Sequence, residues 1–243
     1  MTINPYYTNC TIDITDNCNF KCVHCYVKHD NNKTCIGIDP IKHIEKLISK
    51  LDLIKIHLFG GEPLLNPDFI EIYNYLYKKK YQLTVSTNLS LLEEKHLELF
   101  KKKPPTLICV SIYGSNSIEY IATTGNDAYG TVFNNLNILK NNYIKKIDHS
   151  CQAYKTKLNV DTKGYLSFCP FSSKSKNSLF IEKNISKVLE DLTLSFINNY
   201  KYPDYCFSCK NKELCKCPII LNHYSKEQLK KECCIVQYKI KSI

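Results

Sequence analysis

Apolar positions along the first 140 or so residues alternate between two periods. Thr11 to Thr15 interleaves polar and β-branched residues and reads as a strand. Asp39 then offers an N-cap with Pro40 at the first helical position, and Ile41, Ile44, Leu47, Ile48 and Leu51 recur at helical spacing. Ile54 to Phe59 is a buried-type strand that ends on a double glycine. Asn66-Pro67 opens a helix through about Lys79, Gln82 to Ser86 is a strand, and Ser90 to about Lys101 is a helix. Thr106 to Ser111 is a fourth strand, followed by a helix from about Tyr129 to Asn141. Strands alternating with helices of this length predict right-handed βαβ units around a parallel sheet, an α/β fold. Four such units are visible, and the stretch from Asn141 to Cys151 is too short for another strand and helix.

In such sheets reactive groups gather on loops at the C-terminal ends of the strands. Each candidate motif falls there. Cys18, Cys22 and Cys25, spaced C-x3-C-x2-C, follow the first strand, and Gly60-Gly61-Glu62-Pro63 closes the second. Ser86-Thr87-Asn88 ends the third, and Ser111-Ile112-Tyr113-Gly114 the fourth. Three thiolates at that spacing can hold three irons of a 4Fe-4S cluster and leave the fourth iron open to a chelating ligand.

Composition narrows the setting. The 243 residues suit one large or two small domains. Met1 to Cys10 is polar and Tyr-rich, with no run able to serve as a signal peptide or cross a bilayer, so no membrane association and a cytoplasmic location are expected. In that reducing compartment 14 cysteines point to metal ligation rather than disulfides. The formal charge of +10 comes from lysine alone, since the chain has no arginine. Thiolate ligation offsets part of it, and without guanidinium forks the excess argues against nucleic acid and for a solvated surface or an acidic peptide partner.

The loop from Cys18 to Tyr26, with a ring-bearing residue before its last cysteine, resembles the cluster loop of the radical S-adenosylmethionine (SAM) superfamily. The resemblance continues in register through Gly60 to Pro63, Ser86 to Asn88 and Ser111 to Gly114. It implies a partial (β/α) barrel, shortened because that family usually builds six units, and therefore open to a bulky substrate or completed by the C-terminal region. It further implies that SAM chelates the open iron and that one-electron cleavage yields a 5′-deoxyadenosyl radical that abstracts hydrogen. By the same resemblance Glu62 and the carbonyls of Gly60 and Gly61 clamp the SAM ammonium, while Ser86 and Asn88, with Ser111 as a further candidate, bond its ribose and carboxylate. Read without the family, these are a strand-end turn and ordinary strand-end caps. Many relatives place an arginine shortly before the Thr-Gly matched by Thr124-Gly125, where this chain has Ala122. His24 is expected to shield or hydrogen-bond the cluster, and no general base stands out.

Beyond residue 150 the character changes to Cys151, Gly164, Cys169, then Cys206-x2-Cys209-x5-Cys215-x-Cys217, then Cys233-Cys234. This set resembles the SPASM domain that carries auxiliary 4Fe-4S clusters in many peptide-modifying relatives, giving domains at 1–145 and 146–243. The resemblance implies one or two auxiliary clusters. Cys206, Cys209, Cys215 and Cys233 would hold the outer one, Cys151, Cys169 and Cys217 the inner one, with Cys234 a candidate fourth ligand. A hairpin over Leu158 to Phe168, turning at Asp161 to Gly164, would carry the first ligands. The family's next cysteine after Cys215 comes two residues later than Cys217, at the place of Ile219. A zinc ribbon is the alternative for the four-cysteine run alone. Cys10, Cys35 and Cys109 read as structural.

The function this implies is maturation of a ribosomally made peptide by crosslinking, thioether formation or epimerisation. The expected partners are a precursor peptide, a separate leader-recognition protein or second subunit, and a reductant such as flavodoxin or ferredoxin. The alternatives are a glycyl-radical activase, a tRNA or small-molecule modifier, and a non-enzymatic iron-sulfur module.

Overall fold

Strand β1 (Asn9–Thr15) places Cys10, Ile12 and Ile14 in the apolar core, and alternation turns Thr11 and Asp13 to the opposite face. The computed structural model describes residues 7–25, 34–143, 157–167 and 174–199. Around β1 the chain runs through α1 (Ile38–Ile48), β2 (Lys55–Gly60), α2 (Phe69–Lys78), β3 (Gln82–Thr87), α3 (Glu94–Lys102) and β4 (Leu107–Val110). It continues through α4 (Ser117–Thr124), α5 (Tyr129–Tyr143), β5 (Lys157–Val160), β6 (Leu166–Ser167) and α6 (Ile185–Asn199).

The strands form one six-stranded sheet in the order β4-β3-β2-β1-β5-β6, parallel throughout except that β6 returns antiparallel to β5. The four expected strands lie within a residue or two of their positions, and the expected hairpin forms with its turn at Asp161 to Gly164. The sheet also grows on the far side of β1, where Asn9 to Ile12 pairs with Lys157 to Val160, so chain from beyond residue 145 completes it.

Helix starts shift for local reasons. Gly37, not Asp39, is the N-cap of α1. Asn66 starts no helix because its amide donates to the carbonyls of Ile14 and Ile36 at 2.7 and 2.9 Å, and α2 begins three residues later. Ser90 is held in a turn by Asn88 Oδ1, and α3 begins after Glu93, whose side chain shares a reciprocal capping box with His96. α4 had no counterpart in the sequence reading, because Ile118 and Ile121 lie on its exposed side and give no core-facing stripe.

The core fills the face shared by Ile12, Ile14, Ile56, Leu58, Leu83, Val85, Leu158 and Val160, covered by Ile41, Ile44 and Ile48 of α1 and Phe69, Ile72, Tyr73 and Leu76 of α2. Each such side chain contributes about 1.5–3 kcal/mol of burial. A second cluster joins Phe20, Leu89, Tyr120, Ala128, Val132 and Leu139 at the β4 end. Among the described residues no helix is long and apolar enough to cross a membrane. Cys151, Cys169, Cys206, Cys209, Cys215, Cys217, Cys233 and Cys234 lie outside the described residues.

Candidate cluster and cofactor site

The loop that carries Cys18, Cys22 and Cys25 leaves the C-terminal end of β1 and is pinned by backbone and by one aromatic plug. Lys21 N and Val23 N donate to the carbonyls of Thr124 and Thr123 at 2.7 and 3.0 Å, so the end of α4 serves as a docking rail. Phe20 is buried between the cysteines, standing edge-on to Tyr113 and Tyr120 at 6.1 and 6.4 Å. An apolar residue at this position removes about 200 Å² of ring surface from water and fixes the loop between Cys18 and Cys22. The three sulfurs are thereby graded in exposure. Cys18 and Cys22 are half-buried and Cys25 is exposed, and all three are free thiols.

The glycine pair at the end of β2 closes against the same loop. Gly61 N donates to Thr15 O and Glu62 N to Asn17 O, both at 2.7 Å. Gly60 has φ +134°, and a Cβ there or at Gly61 would collide with the backbone oxygens of Thr15 and Asn17 respectively. Only glycine permits this backbone contact. Glu62 is fully buried, and its carboxylate accepts from Thr87 Oγ1 at 2.7 Å, Asn88 N at 2.6 Å and Leu64 N at 3.1 Å. Burial pushes its pKa up to about 7 while the three donors pull the other way. In this structure the side chain braces β2 to β3.

At the end of β3, Asn88 Nδ2 donates to Asn19 Oδ1 in the cysteine loop at 2.9 Å and points to Cys18 Sγ at 4.0 Å. Ser86 shares a 2.7 Å hydrogen bond with His57 on β2. Ser111 N donates to Thr87 O, and the Tyr113 hydroxyl lowers the Cys22 thiol pKa against the larger effect of burial. His24 lies against Tyr113, ring centres 5.5 Å apart. The described candidates from β1, β2, β3 and β4 thus meet along one edge of the sheet, while Ala122 is exposed on α4. Sequence reasoning missed Phe20, Asn19 and Tyr113 as site-building residues. An aromatic inside a cysteine triplet, and one just past a strand end, were the available signals.

The donor chemistry fits an iron-sulfur cluster. As free thiols Cys18 is pushed up to about 11 and Cys22 is also raised, both chiefly by burial, so ionising them calls for a nearby positive charge. Among the described residues no three His, Cys, Asp or Glu side chains close on a single metal ion. A cubane takes each thiolate on a different iron and needs no such convergence.

A family model described as the Radical SAM superfamily matches residues 12–152. The chain belongs to that superfamily. Its similar relatives include a radical SAM cyclopropyl synthase, TigE, of Paramaledivibacter caminithermalis, 28% identical in an alignment that covers 78% of this chain and 45% of that protein. AlbA of Bacillus subtilis, an antilisterial bacteriocin subtilosin biosynthesis protein, is 30% identical over 46% of this chain and 26% of its own length. A GTP 3′,8-cyclase of Klebsiella pneumoniae is 30% identical over 51% of this chain and 40% of that one. The radical SAM chain therefore spans less than half the length of these curated relatives. Among solved structures, Streptococcus suis SuiB bound to its precursor peptide SuiA superposes with a TM-score of 0.68 at 15% identity, covering 93% of this chain and 75% of that one. Native anSMEcpe with bound AdoMet gives 0.62 at 14% identity, covering 86% and 88%. These likenesses establish the shared fold of the sheet and its helices.

Proposed function

We propose that the chain is a radical SAM enzyme that modifies a ribosomally synthesised peptide. The carrying observation is the edge-to-edge assembly just described: a three-cysteine loop clipped to Gly61 and Glu62 by two 2.7 Å backbone bonds and to Asn88 through Asn19. In this reading Cys18, Cys22 and Cys25 hold a 4Fe-4S cluster, and Gly60, Gly61, Glu62, Ser86, Asn88 and Ser111 form the SAM cradle. Cys151, Cys169, Cys206, Cys209, Cys215, Cys217, Cys233 and Cys234 hold auxiliary clusters in a region from about residue 146 onward.

Cluster and SAM together supply reductive cleavage of a sulfonium and a carbon radical able to take hydrogen from an unactivated C–H bond. The chain's own work is placement. Phe20 and the Thr123–Thr124 rail fix the height of the thiols, the Gly60-Gly61 turn lets backbone approach closely, and the Tyr113 hydroxyl favours the Cys22 thiolate. The name of AlbA, a bacteriocin biosynthesis protein, and the precursor peptide bound to SuiB support a peptide substrate. The partners that go with it are a leader-recognition protein or second subunit and a flavodoxin- or ferredoxin-like reductant in the cytoplasm. A nucleotide substrate is the second reading, favoured by the GTP 3′,8-cyclase relatives.

Anaerobic reconstitution followed by reduction in the presence of SAM should release 5′-deoxyadenosine, and Cys22→Ala should abolish that release while auxiliary iron stays bound. Iron near 12 per chain supports three clusters, and iron near four supports one. Incubation with the peptide encoded beside the gene should change its mass, with loss of two hydrogens marking a crosslink. Wild-type release of 5′-deoxyadenosine from Cys22→Ala would refute the cluster assignment.

A further inference from the structure

The face of the sheet turned away from the apolar core carries a continuous polar row. In register, Asn159 of β5, Thr11 of β1, His57 of β2 and Thr84 of β3 stand side by side across four strands. With neighbouring strands about 4.8 Å apart, the row spans roughly 14 Å. The next register toward the cysteine loop adds Asp13 beside Phe59, and Ser86 beside Cys109. His57 ties the two rows through its 2.7 Å bond to Ser86.

Three members of the first row are buried with an oxygen that has no partner among the described residues: Thr11 Oγ1, Thr84 Oγ1 and Asn159 Oδ1. Buried polar groups are nearly always bonded, and each orphan costs about 1–3 kcal/mol. Three in one register, on β5, β1 and β3 with His57 of β2 between the last two, are a site pattern rather than scattered defects. Asn159 Oδ1 only accepts, and Asp13 above it brings a carboxylate, whereas the threonine hydroxyls can do either. Neither row contains a lysine, Lys55 lying one register further toward the strand starts, and the chain has no arginine.

We propose that this row is the substrate-specificity wall and takes an amide- or amine-bearing segment of the peptide, whose N–H groups satisfy the stranded oxygens. The inference rests on the peptide reading above and deepens it. An acceptor-rich wall favours N–H donors and disfavours a triphosphate, which sets it against the nucleotide reading.

The test is binding by calorimetry to the anaerobically reconstituted full chain, using the synthetic peptide encoded beside the gene and, separately, GTP. Thr84→Val and Asn159→Leu should each weaken the peptide about tenfold. Without peptide both should keep their iron. Thr84→Val should melt at or above the wild-type temperature because it removes an unsatisfied group, and Asn159→Leu close to that temperature because it also gives up the long Nδ2 bond to Ser167 Oγ. Unchanged peptide affinity in both variants overturns the wall, as does wild type that holds GTP and loses it in the variants, or that holds neither ligand. Binding needs no turnover, so failure of 5′-deoxyadenosine release in wild type would count against the catalytic reading and leave this measurement to judge the wall.

Discussion

Thr87 donates its hydroxyl to Glu62 at 2.7 Å, joining the last residue of β3 to the second residue past the end of β2. With Asn88 N on the other carboxylate oxygen, the buried acid acts as a crossbar under the cysteine loop.

That crossbar gives the protein a pH signature. The ordinary carboxyl value is 4.5, and burial raises that of Glu62 to about 7 in the folded chain. Between these values the unfolded chain has released the proton that the folded chain retains. The Glu62 contribution therefore falls as pH rises through that window and levels off above about 7. Urea midpoints from pH 4 to 8 should show this slope in wild type and lose it in Glu62→Gln, at a cost of about 1–3 kcal/mol for the disturbed bond to Asn88 N.

Phe20→Ala should be among the most damaging single changes near the site. It opens a cavity in the cluster formed with Tyr120, Leu89 and Val132 and should cost about 3–5 kcal/mol in denaturant melts. Because the plug sits between Cys18 and Cys22, iron uptake on reconstitution should fall with it. Phe20→Leu should recover most of both.

Gly60→Ala tests the close approach directly. A Cβ at φ +134° would meet the Thr15 carbonyl, a backbone atom that has no rotamer to swing aside. Thermal melting should register a loss on the order of 3 kcal/mol, larger than for Gly130→Ala, where a Cβ meets nothing.

Tyr113→Phe keeps the edge-on packing with Phe20 and Tyr120 and removes the hydroxyl that lowers the Cys22 thiol pKa. Its influence opposes the larger effect of burial, so its loss should raise the value further. Peptide mapping after iodoacetamide treatment of the metal-free chain should show slower labelling at Cys22, with overall stability changed by about 1 kcal/mol or less.

What could be read in advance was whatever has a local period. Alternation located β1, a buried-type run located β2, and spacing located the cysteine loop, because each depends on neighbours a few residues away. What escaped depends on distant chain. Asn66 was read as a helix start because Asn before Pro usually is one, yet its amide is spent on Ile14, 52 residues away. Tyr113 meets Phe20 in the cysteine loop from a point far along the chain, and no windowed pattern encodes that contact. The pairing of β5 with β1 was open for the same reason. A short run such as Lys157–Val160 says strand, but its sequence does not say which edge it will take.

That pairing also protects the protein from itself. β1 is buried along nearly its whole length, and without Lys157 to Val160 its amides and carbonyls would face outward as a template for a neighbouring molecule. A version cut after α5 would retain every residue of the cysteine loop and still be expected to polymerise edge to edge in solution, so solubility itself depends on the hairpin.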